Sequence, residues 1–332
     1  MRRRDFLRGT VASVVFVACG EDAAPQPVTP PGSPTLPGPD APGTSSPEES
    51  DRVFPQGVAS GDPRPDRVVL WTRLAPAGAG RGAADDVPVE FVVARDEALS
   101  DVVARGTLTA LAAEDHTLRL VPTGLAPATR YFYRFSVDGT TTQVGRTRTA
   151  PARDADVPVT FATASCQDFI GRYYHAWRAL LEEQVDLDFV LFLGDYVYEA
   201  VNDKRYQAAP SPERTVTLPD GVDVSPGQDG SRIVAATLAD YRTLYKTYRS
   251  DPFLKEVHRR YPFVTTWDDH EFANDCWQDH TTYFDERDPV TGGFTGEQHT
   301  DRRLAASRAF FEFQPADVPY DPDAGFPGDI QL

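Results

Sequence analysis

The sequence has few cysteines, a deficit of cations and no long apolar run, and each shortage excludes a class of protein. Three cysteines in 332 residues are too few for a disulfide-stapled scaffold. Lysine and arginine number 33 against 50 acidic residues, a formal net charge of −17, and so acidic a surface repels nucleic-acid backbones. No apolar run reaches the roughly 18 residues of a membrane-spanning helix. We therefore expect a soluble, acidic enzyme or binding protein without specific nucleic-acid binding.

The first residues have the pattern of an export signal. Arg3 and Arg4 lie in a cationic segment that precedes a short apolar stretch at 11–18, and a small residue stands before Cys19. This order is typical of a secretory signal, and the paired arginines resemble the twin-arginine pattern. Because the sequence around Cys19 also resembles a bacterial lipobox, we expect removal of residues 1–18. Cys19 would then carry a lipid anchor at the membrane, holding an exported protein in the periplasm or at the cell surface. The alternative is an ordinary cleaved signal with an incidental cysteine.

Residues 19–50 have the composition of a linker. Nine prolines fall between 21 and 50, among small and acidic residues, and no aromatic residue is present. Such a segment cannot bury enough apolar area to offset its chain entropy, so it is predicted to be disordered or polyproline-like.

A β-sandwich is predicted over residues 53–149. Short runs rich in β-branched and aromatic residues recur there between turn residues, at 67–74, 87–95, 103–111, 117–122, 130–137 and 141–149. Several short, regularly spaced strands are typical of a sandwich. The sequence around Tyr131 resembles a fibronectin type III corner. We expect this domain to fold by itself.

Three buried-type runs after residue 156 each end beside a polar side chain. The runs lie at 157–164, 187–193 and 262–267. An amphipathic helix is predicted at 171–184, between the first two, and the order strand, helix, strand indicates a parallel sheet. Cys166, Asp195 and Asp269 follow the strand ends, which is where open α/β sheets bind ligands. The pattern predicts a metal site at this edge of the sheet.

The residue types at this edge fit a pair of metal ions. Asp195 can bridge two cations through its two oxygens, and Tyr198, three residues on, can return to the same site. A phenol with a pKa of about 10 binds as phenolate only beside a strongly polarising ion, which favours Fe³⁺. Cys166 would bind as a thiolate. Asp269 would be a ligand of the second metal. His270 could act as a general acid toward the leaving-group oxygen or donate a hydrogen bond to the phosphoryl group.

Several sequence blocks together resemble the PhoD-type alkaline phosphatase/phosphodiesterase family of the metallophosphoesterase superfamily. They are 54–63 (FPQGVASGDP), 68–74 (VVLWTRL), 164–167 (ASCQ), 194–199 (GDYVYE), 248–252 (YRSDP) and 267–271 (WDDHE). The resemblance runs from about residue 53 to residue 332. It implies a fibronectin III-like N-terminal β-sandwich, followed by an α/β metallophosphoesterase domain built as a βαβ, two-sheet sandwich.

The resemblance also implies a set of cofactors and site residues. The cofactors would be Fe³⁺ and Ca²⁺, and the substrate a phosphate ester. Cys166, Asp195 and Tyr198 would hold the iron. Asp269 would bind calcium together with Asp195, and His270 would contact the transition state.

The sequence departs from the family in its later metal ligands. After Glu271 it contains only His280 and His299, and neither lies in the setting of the family's late histidines. We therefore expect an incomplete catalytic domain over 156–332, holding only the first half of the metallophosphoesterase fold. These 332 residues are expected to be inactive by themselves.

Other interpretations of the same residues remain open at this point. Asp195 and Asp269 are at positions where aspartate also serves as a helix N-cap. Cys166 could be a small buried hydrophobe. Asp268 could be the ligand in place of Asp269, and Glu199 could either orient a neighbour or contact metal.

Two functions follow from these alternatives. The first is a secreted, membrane-tethered phosphoesterase that hydrolyses phosphate esters with a metal-activated hydroxide. The second is a non-catalytic surface-binding module with a vestigial or incomplete metal site. Bound iron would favour the first.

Overall fold

The computed structural model describes most of the chain downstream of residue 42. The described residues are 14–15, 43–204, 206–207, 211–224, 232–283 and 297–318. Cys19, most of the predicted signal and most of the predicted linker lie outside them. Within these ranges no helix is long and apolar enough to cross a membrane.

The described residues form strands β1–β17 and helices α1–α5. The strands are β1 (Val14–Val15), β2 (Val58–Gly61), β3 (Val69–Arg73), β4 (Val87–Ala94), β5 (Val102–Ala110), β6 (Thr117–Leu120), β7 (Arg130–Val137), β8 (Thr140–Thr141), β9 (Gly145–Arg148), β10 (Phe161–Ala164), β11 (Phe189–Phe192), β12 (Ala200–Val201), β13 (Val222–Asp223), β14 (Ile233–Val234), β15 (Phe263–Thr265), β16 (His280–Thr281) and β17 (Glu297–Gln298). The helices are α1 (Pro47–Val53), α2 (His175–Glu182), α3 (Leu238–Tyr248), α4 (Pro252–Arg260) and α5 (Thr300–Phe313).

A mixed sheet carries the three strands that were predicted to lead into the site. Its order is β1-β10-β11-β15-β2-β3-β6. β10, β11 and β15 are parallel neighbours, and α2 connects the first two. The predicted βαβ unit is therefore confirmed. The carboxyl ends of all three strands meet at one edge of the sheet.

The same sheet continues into the N-terminal part of the chain. β15 pairs with β2 in parallel, through Phe263 and Gly61. β3 and β6 follow as antiparallel neighbours. The prediction of a self-contained N-terminal domain is wrong in this respect, because the β2, β3 and β6 strands belong to the sheet that carries the site.

A second sheet completes a sandwich in the N-terminal part. Its order is β5-β4-β7-β8, and β9 also pairs with β7. Alternate residues of β7 point inward, and Tyr131, Tyr133, Phe135 and Val137 share a buried core with residues of β3, such as Leu70. Alternation of this kind is what a strand with one buried face requires.

The structure differs from the predicted linker at residues 43–50. Helix α1 begins at Pro47, and the Ser46 hydroxyl accepts a hydrogen bond from the Glu49 amide (3.2 Å). The Ser45 amide donates to the Thr141 hydroxyl (2.8 Å), which ties the segment to β8. Composition missed this helix because serine followed by proline is a local helix-start signal inside a proline-rich stretch.

Helices cover one face of the parallel strands. Val190 and Phe192 of β11 are buried among residues of α2, α3 and α4, including Trp177. Helix α4 begins at Pro252 because the Asp251 carboxylate caps it, accepting from the amides of Phe253 and Leu254. The helical layer thus packs against the buried face of β11.

Candidate metal centre

Backbone hydrogen bonds hold the ends of β10 and β11 side by side. The Cys166 amide donates to the Gly194 carbonyl, and the Gln167 amide donates to the Asp195 carbonyl, both at 3.1 Å. Cys166 and Asp195 both have left-handed backbone conformations, with φ of 58° and 56°. Non-glycine residues rarely adopt this conformation, and where it occurs it often marks a functional site.

Gly194 lets the ends of β11 and β15 approach each other. Its φ is +101°, and an added Cβ would lie 2.4 Å from the Cβ of Asp268 and 2.8 Å from its amide nitrogen. No side chain fits there, so this position requires glycine.

A buried carboxylate ties the same two strand ends together. Glu271 accepts hydrogen bonds from the amides of Asp195 (3.1 Å), Tyr196 (2.6 Å) and Asp268 (2.8 Å). Burial raises the pKa of Glu271 to about 8, and the nearby Asp195 charge adds to this, although the three amides oppose the change. Glu271 therefore acts as a structural clamp beneath the site.

Two predicted ligands converge on the carboxylate of a third, Asp195. The Cys166 Sγ lies 3.4 Å from Asp195 Oδ2, and the Tyr198 hydroxyl donates to the same oxygen at 3.4 Å. The other oxygen, Oδ1, is buried and has no hydrogen-bond partner. Burial, together with the Asp269 charge, raises the pKa of Asp195 despite the attraction of His270. A buried carboxylate oxygen without a donor is unusual, and a cation would satisfy it.

A second group of ligands adjoins the first. Ligand atoms of Asp195, Asp269 and His270 lie within 4.8 Å of one another. The Asp269 oxygens also accept from the amides of His270 (3.1 Å) and Asp275 (2.5 Å), which fixes the carboxylate. Asp268 instead caps the short 3₁₀ turn at Asp269–Glu271 by accepting from the Asp269 amide. The geometry thus favours Asp269 over Asp268 as the ligand.

The surroundings of His270 favour its protonated form. Burial by itself would lower its pKa, but the hydrogen bond and charge of Glu199, with the charges of Asp195 and Asp269, raise it to about 9. The ring nitrogen Nδ1 lies 2.7 Å from Glu199 Oε2. Nε2 therefore remains as the nitrogen that can serve the site.

The segment 248–252 supports the loop that follows Asp195. The Tyr248 hydroxyl accepts from the Tyr198 amide (3.2 Å) and donates to Asp168 (3.1 Å), while Arg249 donates to the Tyr196 hydroxyl (3.2 Å). Sequence reasoning gave these residues no role. Their only signal was membership of a recognisable block.

Comparisons with known proteins identify the family of this chain. The PhoD-like phosphatase profile matches residues 161–326, and the profile of the PhoD-like phosphatase N-terminal domain matches residues 40–151. The chain belongs to the PhoD-like phosphatase family. Alkaline phosphatase D of Bacillus subtilis (strain 168) is 38% identical over 285 residues, which make up 84% of this chain and 44% of that protein. A solved structure of PhoD, 36% identical, has a TM-score of 0.65 and covers 82% of this chain and 48% of that one. The chain thus spans under half the length of these two PhoD proteins.

The predicted resemblance to the PhoD family is confirmed, and the mixed-sheet fold matches that of PhoD. Of the predicted site residues, Cys166, Asp195 and Tyr198 meet at one carboxylate oxygen, and Asp269 and His270 adjoin it. Cys19 lies outside the described residues.

Proposed function

We propose that the protein is an exported, metal-dependent phosphoesterase of the alkaline phosphatase/phosphodiesterase type. The observation that carries the proposal is the Asp195 carboxylate. Cys166 and Tyr198 both contact one of its oxygens, and the other oxygen is buried without a hydrogen-bond partner. The neighbouring carboxylates of Asp195 and Asp269 repel each other and any phosphate ester. Cations bound between them would neutralise this negative charge.

The donor set supports Fe³⁺ and Ca²⁺ as the cations. Thiolate and phenolate donors, from Cys166 and Tyr198, suit a ferric ion, and burial with the nearby Asp195 charge keeps the pKa of Tyr198 well above its ordinary value without one. Asp269 offers the hard carboxylate oxygen that Ca²⁺ prefers. When bound, such ions activate water and neutralise charge at phosphorus.

The chain's own residues would position the substrate and move a proton. His270 faces the cluster with Nε2, from which it can donate to a phosphoryl oxygen or to the leaving oxygen of the ester. Asp195 and Asp269 are held at a fixed separation. Glu271 binds the backbone of both loops, and Gly194 permits the loops to approach each other. Groups that are already fixed in place stabilise the transition state without having to reorganise during the reaction.

The cell surface is the proposed location, with Cys19 as the lipid anchor and phosphate esters outside the cell as substrates. The sequence pattern of residues 1–19 supports this part of the proposal. We also propose that the N-terminal sandwich is fibronectin III-like. The Tyr131 hydroxyl accepts a hydrogen bond from the Ala126 amide (2.8 Å), as a tyrosine corner does.

The test compares Asp195→Asn with Asp138→Asn, a matched change at an exposed aspartate. Metal content and hydrolysis of p-nitrophenyl phosphate and bis-p-nitrophenyl phosphate are measured in the polypeptide as the cell produces it. Asp195→Asn should lose bound metal and at least about 10²-fold in rate, because one electrostatic contributor is worth about 3 kcal/mol. Full activity in Asp195→Asn would show that the site is assigned wrongly.

A further inference from the structure

Glu199 is a charged group in a fully buried position. Its side chain is 0% exposed, and burial alone would keep it protonated. Hydrogen bonds from His270, Tyr283 and Asn274 nevertheless lower its pKa. A buried carboxyl group is costly unless its oxygens are paired, so the partners of Glu199 indicate what it does.

Both oxygens of Glu199 are occupied by donors. Oε2 accepts from Nδ1 of His270 (2.7 Å), and Oε1 accepts from the Asn274 amide (3.0 Å) and from the Tyr283 hydroxyl. Glu199 is also absent from the group of ligand atoms that Asp195, Asp269 and His270 form. The question left open by the sequence, whether Glu199 orients a neighbour or contacts metal, is answered by this geometry in favour of orientation.

The anchor for Glu199 is rigid. Its backbone carbonyl accepts a hydrogen bond from the Ala235 amide (2.9 Å), which ties it to the end of β14. Tyr283 accepts in turn from Arg302 of α5 (3.3 Å), and Arg302 also donates to Tyr241 (3.1 Å). The backbone of Glu199 is thus tied to the residue after β14, and its carboxylate is tied through Tyr283 to Arg302 of α5.

The His270 ring is constrained on its face as well as at its edge. The ring of Tyr198 lies over it, with centroids 4.2 Å apart. Tyr198 limits the tilt of the imidazole, and Glu199 limits its rotation.

We propose that Glu199 is the positioning residue for His270, holding a proton on Nδ1 and directing Nε2 toward Asp195 and Asp269. The inference rests on the proposed function for its catalytic consequence, but not for the geometry of the ring. Outer carboxylates that fix the tautomer of a site histidine typically change affinity or activity 10–100-fold when they are removed.

The first test reads the position of the ring proton directly. Protein with ¹⁵N-labelled histidine is loaded with Zn²⁺ at pH 8, and the His270 signals are assigned by their loss in His270→Asn. In the unmutated protein Nδ1 should carry the proton. In Glu199→Gln the amide nitrogen faces the ring and donates to Nδ1, so the proton should move to Nε2. An unprotonated Nδ1 in the unmutated protein would overturn the proposal, even if the variant does not fold.

The second test measures the consequence with a double-mutant cycle. Hydrolysis of p-nitrophenyl phosphate is measured in the polypeptide as the cell produces it and compared in Glu199→Gln, in His270→Asn and in the double variant, with circular dichroism to verify folding. Glu199→Gln should cost about 10–100-fold. His270→Asn should cost at least as much, and the double variant should be no worse than His270→Asn, because Glu199 acts through that ring. The matched control is Glu182→Gln, at an exposed glutamate paired with Arg178, and it should retain the full rate.

Losses that multiply fully in the double variant, or no loss from either single change, would overturn the positioning role. The proposed function fails in a different way. In that case Asp195→Asn would keep its metal and its rate, whereas the ring proton of His270 would still be found on Nδ1.

Discussion

Replacing Gly194 with alanine should separate the two strand ends that the site depends on. The new Cβ would lie 2.4 Å from the Cβ of Asp268, a distance that side chains do not tolerate. The φ of +101° also disfavours any residue with a Cβ. The change therefore combines backbone strain with a steric clash, and the clash acts directly on the loop that carries Asp269.

Gly139 allows the two effects to be measured apart. It has a φ of +85° in the turn between β7 and β8, and an added Cβ would meet nothing within 4 Å. Gly139→Ala should therefore cost only the strain, about 1–2 kcal/mol. Gly194→Ala should cost that amount plus about 1–3 kcal/mol of overpacking, a total of about 2–5 kcal/mol.

Urea unfolding of both variants gives the comparison, with metal binding measured on the same samples. Gly194→Ala should also bind metal at least about tenfold more weakly, a difference of about 1.4 kcal/mol, while Gly139→Ala should bind as the unmutated protein does. Equal destabilisation by the two substitutions, with metal affinity intact in both, would refute the close approach of the strand ends as the reason for glycine at 194.

Three further predictions concern other parts of the chain. Tyr198→Phe should remove any visible phenolate-to-iron absorption band while leaving the circular dichroism spectrum unchanged; a persistent band would assign it to another residue. The free energy of unfolding of the metal-free protein should fall as the pH rises from 6.5 toward about 9, because the raised pKa of His270 lets only the folded state keep that proton. In His270→Asn this slope should be reduced, and only the part due to the raised pKa of Glu271 should remain below about pH 8; an unchanged slope would contradict the assignment. Cys19→Ser should move the protein from the membrane pellet to the soluble fraction, and an unchanged distribution would contradict the lipid anchor.

Much of the parallel part of the sheet could be predicted from the sequence. An apolar run predicts a buried strand, and the Gly-Asp or Asp-Asp pair that follows it indicates where the strand ends. The positions of β11 and β15 could therefore be predicted to within a few residues. The convergence of Cys166 and Asp195 followed from the parallel order alone, since parallel strands share one carboxyl edge.

What the sequence could not show depends on contacts between distant residues. The pairing of β2 with β15 joins Gly61 to Phe263, and neither apolar pattern nor spacing encodes such a partner. The role of Glu199 depends on Tyr283, 84 positions away, so no local motif could decide it. Asp268 and Asp269 are adjacent, and the sequence did not show that the Asp268 carboxylate would cap the 3₁₀ turn by accepting from the Asp269 amide.

The junction of β2 with β15 has a consequence for the nascent chain. Gly61 emerges from the ribosome about 200 residues before Phe263, which at roughly 5–20 residues per second is a delay on the order of 10–40 s. Throughout that interval β2 can pair with β3 on one side, but its other edge has no strand neighbour among the described residues already made. An open strand edge invites pairing with other chains. An unprotected β2 edge is therefore exposed during synthesis until β15 is made. Among the described strands of this sheet β15 is the last in chain order, so its pairing closes the edge and brings the Asp269 loop to the site in the same step.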